Sequence, residues 1–129
     1  MQIFEKTIVV SKDDLDQLNH VNNVRYVQWV QDIAEAHWLQ NATNSILDNV
    51  FWVLVNHQIA YKNQAILGDQ LLIKTYVTRL EGITSERIVE FMNIATQKLI
   101  VKSVTKWCLL SLKTKRPTRI TPEIAELFD

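Results

Sequence analysis

The stretch Asp14-Leu15-Asp16-Gln17-Leu18-Asn19-His20-Val21-Asn22-Asn23-Val24-Arg25-Tyr26 decides how this chain is read. It sets carboxylates, an imidazole and two amides directly ahead of a long segment with helical apolar spacing. The first turn of a helix carries backbone N–H groups without intrahelical partners and a partial positive charge. A carboxylate held beside such donors has both parts that acyl transfer needs. One part attacks or activates water, and the other holds an oxyanion. The remaining sequence is the scaffold that places this segment.

Working outward, the spacing Val24, Val27, Val30, Ile33, Ala34, Trp38 predicts a helix from Val24 to about Leu39, with Asn22 or Asn23 as its N-cap. Tyr26 and Trp29 widen the apolar stripe, so the helix is expected to be buried. Upstream, Ile3 to Val10 reads as a strand and Ser11 to His20 as a polar loop. Downstream, Asn41 to Asn49 reads as a loop or ragged helix end. Four strands follow: Phe51 to Lys62, Leu71 to Leu80, Arg87 to Ala95 and Leu99 to Lys113. Gly68-Asp69, Glu81-Gly82 and Thr96-Gln97 supply turns, and Pro122 opens a short terminal helix, Glu123 to Phe128. A strand, one long helix and a run of antiparallel strands give an α+β domain over residues 1–129, its sheet of about five strands curling around the helix. Ile100, Val104, Cys108, Leu110 and Leu112 are expected on one side of the last strand. Trp107 and Leu109 are expected on the other side, where a second copy would cover them.

Composition narrows the function classes. The 129 residues include 14 Lys or Arg and 14 Asp or Glu, so the formal net charge is zero. Broad nucleic-acid binding wants a strongly basic face, and this balance argues against it. Zero net charge gives little colloidal repulsion and leaves room for self-association. The single cysteine, Cys108, permits no internal disulfide and lies in an apolar run, which reads as a buried thiol. The N-terminus lacks a signal-peptide layout, and no apolar run approaches the ~20 residues of a membrane span, so a cytoplasmic protein is expected. His37 and His57 fall in helical and strand patterns without Cys or carboxylates at ligand spacing, so no metal site is expected.

The element order, together with Asp14-x-Asp16…His20-Val21-Asn22-Asn23-x-x-Tyr26-x-x-Trp29, resembles the hotdog-fold acyl thioesterases, nearest to relatives of 4-hydroxybenzoyl-CoA thioesterase and acyl-ACP thioesterase. The turn Gly68-Asp69 and the tail Arg116-Pro117-Thr118-Arg119 are similar to that family as well. The resemblance implies a curved antiparallel sheet wrapped around one central helix. It also implies dimers or dimers of dimers, and an acyl-CoA or acyl-ACP site between subunits, with no cofactor. Asp16 takes the place of the catalytic carboxylate, and the oxyanion donor, seven residues on, falls on the backbone N–H of Asn23. Asn22 and Tyr26 belong to the same motif and are expected on the substrate side. Where many relatives have Gly before the His, this chain has Asn19, which also tolerates a left-handed backbone.

The residues leave several roles open. Asp16 either attacks the thioester carbonyl or deprotonates water. His20 either positions the reacting groups or fixes the loop by hydrogen bonding. Lys115, Arg116 and Arg119 in the basic tail, with Arg87 as a further candidate, either hold CoA phosphates or form a solvated surface. Any of the tryptophans Trp29, Trp38, Trp52 and Trp107 could line an acyl pocket. Two other functions compete. A hydratase or dehydratase on the same fold would need an acid/base pair, for which His20 and Glu35 are the available residues. A non-catalytic acyl-thioester binder would need only the pocket.

Overall fold

A computed structural model describes residues 1–129. It contains β1 (Phe4–Val9), α1 (Asn23–Asn41), α2 (Asn44–Asn49), β2 (Val50–Tyr61), β3 (Gln70–Glu81), β4 (Thr84–Asn93), β5 (Leu99–Ser111) and α3 (Pro122–Glu126). The strands form one antiparallel sheet in the order β1-β3-β4-β5-β2. The sheet curves over α1, and this is the hotdog architecture that the sequence resembles. The expected loop at Asn41–Asn49 is instead a separate helix, α2. It is capped where the Thr43 hydroxyl accepts from Ile46 N–H and is anchored by buried Ile46.

Helix α1 turns a different face inward than the apolar spacing suggests. Tyr26, Val30, Ile33, Ala34 and His37 are buried. Val24 is 72% exposed and Val27 is exposed beside it. The inward residues follow the i, i+4, i+7, i+8, i+11 rhythm of a helix face. Val24 and Val27 fall outside that face, so α1 is buried on one side and not around its girth.

On the sheet, Leu71, Ile73, Thr75 and Val77 point inward from β3, and Arg87, Val89, Phe91 and Asn93 from β4. The inner face of β5 is Val101, Ser103, Thr105 and Leu109. Trp107 therefore faces the helix side, where its indole N–H donates to Thr105 Oγ1 at 2.9 Å. This corrects the expectation that Trp107 and Leu109 form an outward face. The polar pair Ser103 and Thr105 breaks the apolar alternation and hides which side is the interior. Both hydroxyls are bonded inside: Ser103 to the His57 ring at 2.8 Å and Thr105 to the Arg87 carbonyl at 3.4 Å. Buried polar groups are tolerated when they are hydrogen-bonded.

The largest polar cluster lies where α1 ends against the sheet. Arg87 Nη1 donates to His37 Nδ1 and to Thr75 Oγ1, each at 2.9 Å. A guanidinium has only donors, so His37 Nδ1 must accept and its proton rests on Nε2. That N–H donates to Gln2 Oε1 at 2.6 Å, and Asn41 Nδ2 donates to the same oxygen. Phe4 stacks on the His37 ring at 5.1 Å, and Phe128 meets it edge-on at 5.2 Å. The network ties both chain termini to the far end of α1.

His37 is fully buried. Burial, with a smaller contribution from the Arg87 charge, lowers its imidazole from the usual 6.5 to about 4. The unfolded chain takes up that proton near pH 6.5, and the folded chain only near 4. The unfolded state thus binds more protons between these values, and stability rises with pH across the window. The contribution is complete above about pH 6.5 and is lost as the pH falls toward 4. It amounts to about 3 kcal/mol at most. Urea midpoints should fall between pH 6.5 and 4, less steeply in His37→Gln than in the parent. Parallel slopes for the two proteins would contradict this assignment.

Candidate functional site

The loop ahead of α1 is fixed from several directions. Asp14, the first acid of the pair, is buried and accepts from Ser11 N–H at 2.8 Å and Ser11 Oγ at 3.1 Å. Its other oxygen meets Arg25 Nε at 2.9 Å, the one salt bridge in the chain. Asp14 therefore clamps the loop onto the first turn of α1. The sequence pairing did not disclose this role, because Arg25 lies eleven positions on. Its Asp14 carbonyl also accepts from Asn22 N–H at 2.8 Å.

Asp16 lies on the tight turn that follows. Its N–H donates to the His20 carbonyl at 2.7 Å, and its carbonyl accepts from Asn19 N–H at 3.1 Å. Closing this turn puts Asn19 at φ 61, the left-handed conformation that asparagine tolerates. Asp16 Oδ1 accepts from Leu18 N–H at 2.8 Å and His20 N–H at 3.1 Å. One carboxylate oxygen thus braces the loop. Oδ2 has no hydrogen-bond partner, and the side chain is exposed on this chain. The His20 side chain makes no hydrogen bond, and only its backbone N–H meets the Asp16 carboxylate.

The turn before β3 backs this loop. His20 pairs with Ile66 in an isolated bridge, and Val21 N–H donates to the Ala65 carbonyl at 2.9 Å. Asp69 Oδ2 accepts from Ile66 N–H at 3.0 Å, and Gly68, at φ 86, donates to the Val10 carbonyl. Only glycine takes that φ without strain, which explains the Gly-Asp pair seen in the sequence.

At the start of α1, Asn22 is the N-cap, its Oδ1 accepting from Val24 N–H at 3.0 Å and its carbonyl from Arg25 N–H. Asn22 is thus a helix cap by its side chain. The N–H of Asn23 takes part in none of these bonds, and Asn23 lines a cleft of about 280 Å³ with Val21, Tyr26, Tyr61 and Lys62. Tyr26 is 3% exposed and packs against Phe91 and Tyr61. Its hydroxyl is the one buried side-chain polar atom without a partner. Burial, with the nearby Asp69 and Tyr61, raises its phenol and keeps it protonated.

The cationic candidates lie elsewhere. Lys115, Arg116 and Arg119 are exposed on the tail that folds back on the end of β5, with Lys115 Nζ 5.6 Å from the centre of the Phe51 ring. Phe51 is the second residue of β2 and Tyr61 ends it, and ten steps of strand span roughly 33 Å. Within one chain the tail and the Asp16 loop are therefore at opposite ends of the sheet. Arg87, read from sequence as a phosphate contact, is 5% exposed and bonded to His37 and Thr75. It is not placed to meet a phosphate at the surface, and that expectation is corrected. Its position on β4 with three buried neighbours in alternation carried the signal. Glu35 is twelve positions past Asn23 along α1, roughly 18 Å of helix, so one chain does not pair it with His20.

A second cavity, of about 310 Å³, lies at the far half of α1 between the helix and the sheet. Trp38, Phe51, Trp52, Trp107 and Phe128 supply its aromatic walls, and Arg87 borders it. Three of the four tryptophans thus line one space. No three His, Cys, Asp or Glu side chains cluster as a metal site would need. No helix is long and apolar enough to cross a membrane.

Comparison with known proteins places this geometry. A search of curated protein sequences gives no match. Among solved structures, YbaW, a probable thioesterase from Escherichia coli, is 25% identical, with a TM-score of 0.82 over 95% of this chain and 94% of that one. Slr0204, a 1,4-dihydroxy-2-naphthoyl-CoA thioesterase from Synechocystis, shares the fold at 16% identity and a TM-score of 0.84, covering 98% and 96%. SAV2348 from Staphylococcus aureus, solved in complex with CoA, does so at 14% identity and a TM-score of 0.86, covering 98% and 81%. The family description of the thioesterase-like superfamily matches residues 10–128, almost the entire chain, and the chain belongs to that superfamily.

Proposed function

We propose that the protein hydrolyses acyl thioesters of coenzyme A or of acyl carrier protein to a carboxylic acid and a thiol. The observation that carries this reading is the juxtaposition at the start of α1. A carboxylate with one oxygen unbonded lies on a braced loop that leads into α1, and the first N–H of that helix, on Asn23, is bonded to no protein group. In the reaction, the carbonyl oxygen accepts from Asn23 N–H as it gains charge. Asp16 either adds to the carbonyl carbon, giving an anhydride that water then opens, or removes a proton from water as it adds. In both routes the C–S bond breaks, a C–O bond forms, and the thiolate leaves and takes a proton. His20 is close enough along the turn to orient the carboxylate or the water.

We further propose that the site is completed by a second copy joined along β2. This strand is an edge of the sheet and runs for twelve residues, Val50 to Tyr61, without Asp, Glu, Lys or Arg. Val53, Leu54 and Val55 at its centre are exposed, and a bulge at Val55 bends it. Natural edge strands are commonly guarded by charge, as β1 is by Glu5 and Lys6. An unguarded edge reads as a pairing surface. Antiparallel pairing of β2 with its two-fold mate sets the Phe51 end of one copy against the Tyr61 end of the other. The tail cations Lys115, Arg116 and Arg119 of one copy then approach the Asp16 loop of the other, where CoA phosphates would enter.

Two experiments test these readings. In a thiol-release assay over aliphatic and aromatic acyl-CoAs, Asp16→Ala should lose on the order of 10²–10⁴-fold in kcat. Asn23→Ala, which keeps its backbone N–H, should lose far less. Equal losses would remove the backbone role, and full activity in Asp16→Ala would remove the catalytic one. Separately, Leu54→Lys should shift the mass seen by light scattering toward a monomer and lower turnover with it. An unchanged mass, or a monomer with full activity, would contradict the shared site.

A further inference from the structure

The cavity at the far end of α1 holds an unusual charge. Arg87 is almost fully buried, yet no carboxylate pairs with it, since the chain's one salt bridge joins Arg25 and Asp14. Buried charges are ordinarily paired. Both hydrogens of Nη1 are spent on His37 Nδ1 and Thr75 Oγ1, which are neutral acceptors. His37 accepts through Nδ1 and is therefore neutral, and an imidazole offers no negative charge in either form. The guanidinium has three further N–H groups, on Nε and Nη2, and none finds an acceptor in the protein. Tyr26 OH is the one buried side-chain polar atom left without a partner, so Nε and Nη2 are not sealed inside. They reach open space, and the space that Arg87 borders is the aromatic cavity.

The walls define the rest of a ligand. Phe128 lies under the guanidinium, 5.6 Å from Cζ to the ring centre. Trp38 stacks on Phe128 at 6.2 Å and meets Trp52 edge-on at 5.8 Å. Flat aromatic walls favour a flat ring, by stacking and edge contacts. Glu35 is the one acid on the wall, exposed on the outer side of α1 and outside ion-pair distance of Arg87. Burial lowers Arg87 to about 10, so it keeps its charge at neutral pH.

We propose that this cavity is the acyl pocket and selects an aromatic acyl group bearing a second carboxylate at its far end, held side-on by Nε and Nη2 of Arg87. The side-on edge presents two parallel N–H groups, the arrangement that matches a carboxylate in bidentate fashion. The role as acyl pocket rests on the hydrolase reading and on β2 pairing, which sets the Phe51 mouth of the cavity near the partner's Asn23. The anion preference does not depend on turnover, so it can be read separately.

Trp38, Trp52 and Trp107 report occupancy by their own fluorescence. Benzoate should quench or shift that emission with an affinity about ten- to a hundredfold above that of benzamide, its neutral isostere. Arg87→Gln should abolish the difference, whereas Asp16→Ala should keep it. Equal affinity of the parent protein for both probes would overturn the proposal, and that comparison needs no variant to fold. Retention of the benzoate preference in a folded Arg87→Gln would overturn it too. In the hydrolysis arm, 4-carboxybenzoyl-CoA should exceed benzoyl-CoA in kcat/KM, through KM, and only in the parent. Turnover of benzoyl-CoA without any anion preference refutes the pocket and leaves the hydrolase. Arg87-dependent benzoate binding without turnover of either ester refutes the hydrolase and leaves the anion site.

Discussion

The clamp between Asp14 and Arg25 is the constraint on which the site depends. It fixes a loop to the first turn of α1 at a point where the loop would otherwise be a polar excursion between β1 and the helix. With that clamp closed, the next turn has little choice. Asn19 enters the left-handed region, Asp16 Oδ1 collects two backbone N–H groups, and the chain reaches Asn22 in position to cap the helix. These bonds hold the Asp16 carboxylate in one arrangement on the loop ahead of the helix. That preorganisation is what makes fixed dipoles effective in catalysis.

The proposed function is divided between the two ends of α1. The helix lies across the concave sheet with Tyr26, Val30, Ile33 and Ala34 against the core, so its middle is committed to packing. At the N-terminal end, Val21, Asn23 and Tyr26 line a cleft with Tyr61 and Lys62. At the C-terminal end, Arg87 and the aromatic side chains Trp38, Phe51, Trp52, Trp107 and Phe128 frame a cavity. Within one chain these features are too far apart for a single acyl group. An uncharged edge strand that runs between them supplies a physical reason for two copies to bring opposite ends together.

The backbone of the loop ahead of α1 was more legible in the sequence than the interior was. Asp16, Asn19 and the Gly68-Asp69 turn could be read because each has a local backbone reason: an Asx-type brace, a left-handed residue, a glycine φ. The alternation of Leu71, Ile73, Thr75 and Val77 was equally legible, because β3 buries one face throughout. The inner face of β5 was not, because Ser103 and Thr105 satisfy their hydroxyls inside and look polar in sequence. Arg87 misled for a related reason. A cation in sequence suggests a surface contact, and only the three-dimensional meeting of β3, β4 and α1 reveals acceptors that hold it inside. Val24 and Val27 fit a helical stripe yet face outward, because the inward face is taken by Tyr26, Val30, Ile33, Ala34 and His37.

Hydrolysis is proposed to occur where the Asp16 loop of one copy meets the basic tail of another. Subunit mixing tests it most directly. One variant carries Asp16→Asn, and a second carries Lys115→Ala, Arg116→Ala and Arg119→Ala together. In a mixed dimer, one site receives both lesions and the other receives none. Unfolding and refolding the two variants together in equal amounts should restore about a quarter of the parent acyl-CoA hydrolysis. Activity no greater than the average of the two variants alone would place loop and tail in separate functions and contradict the account.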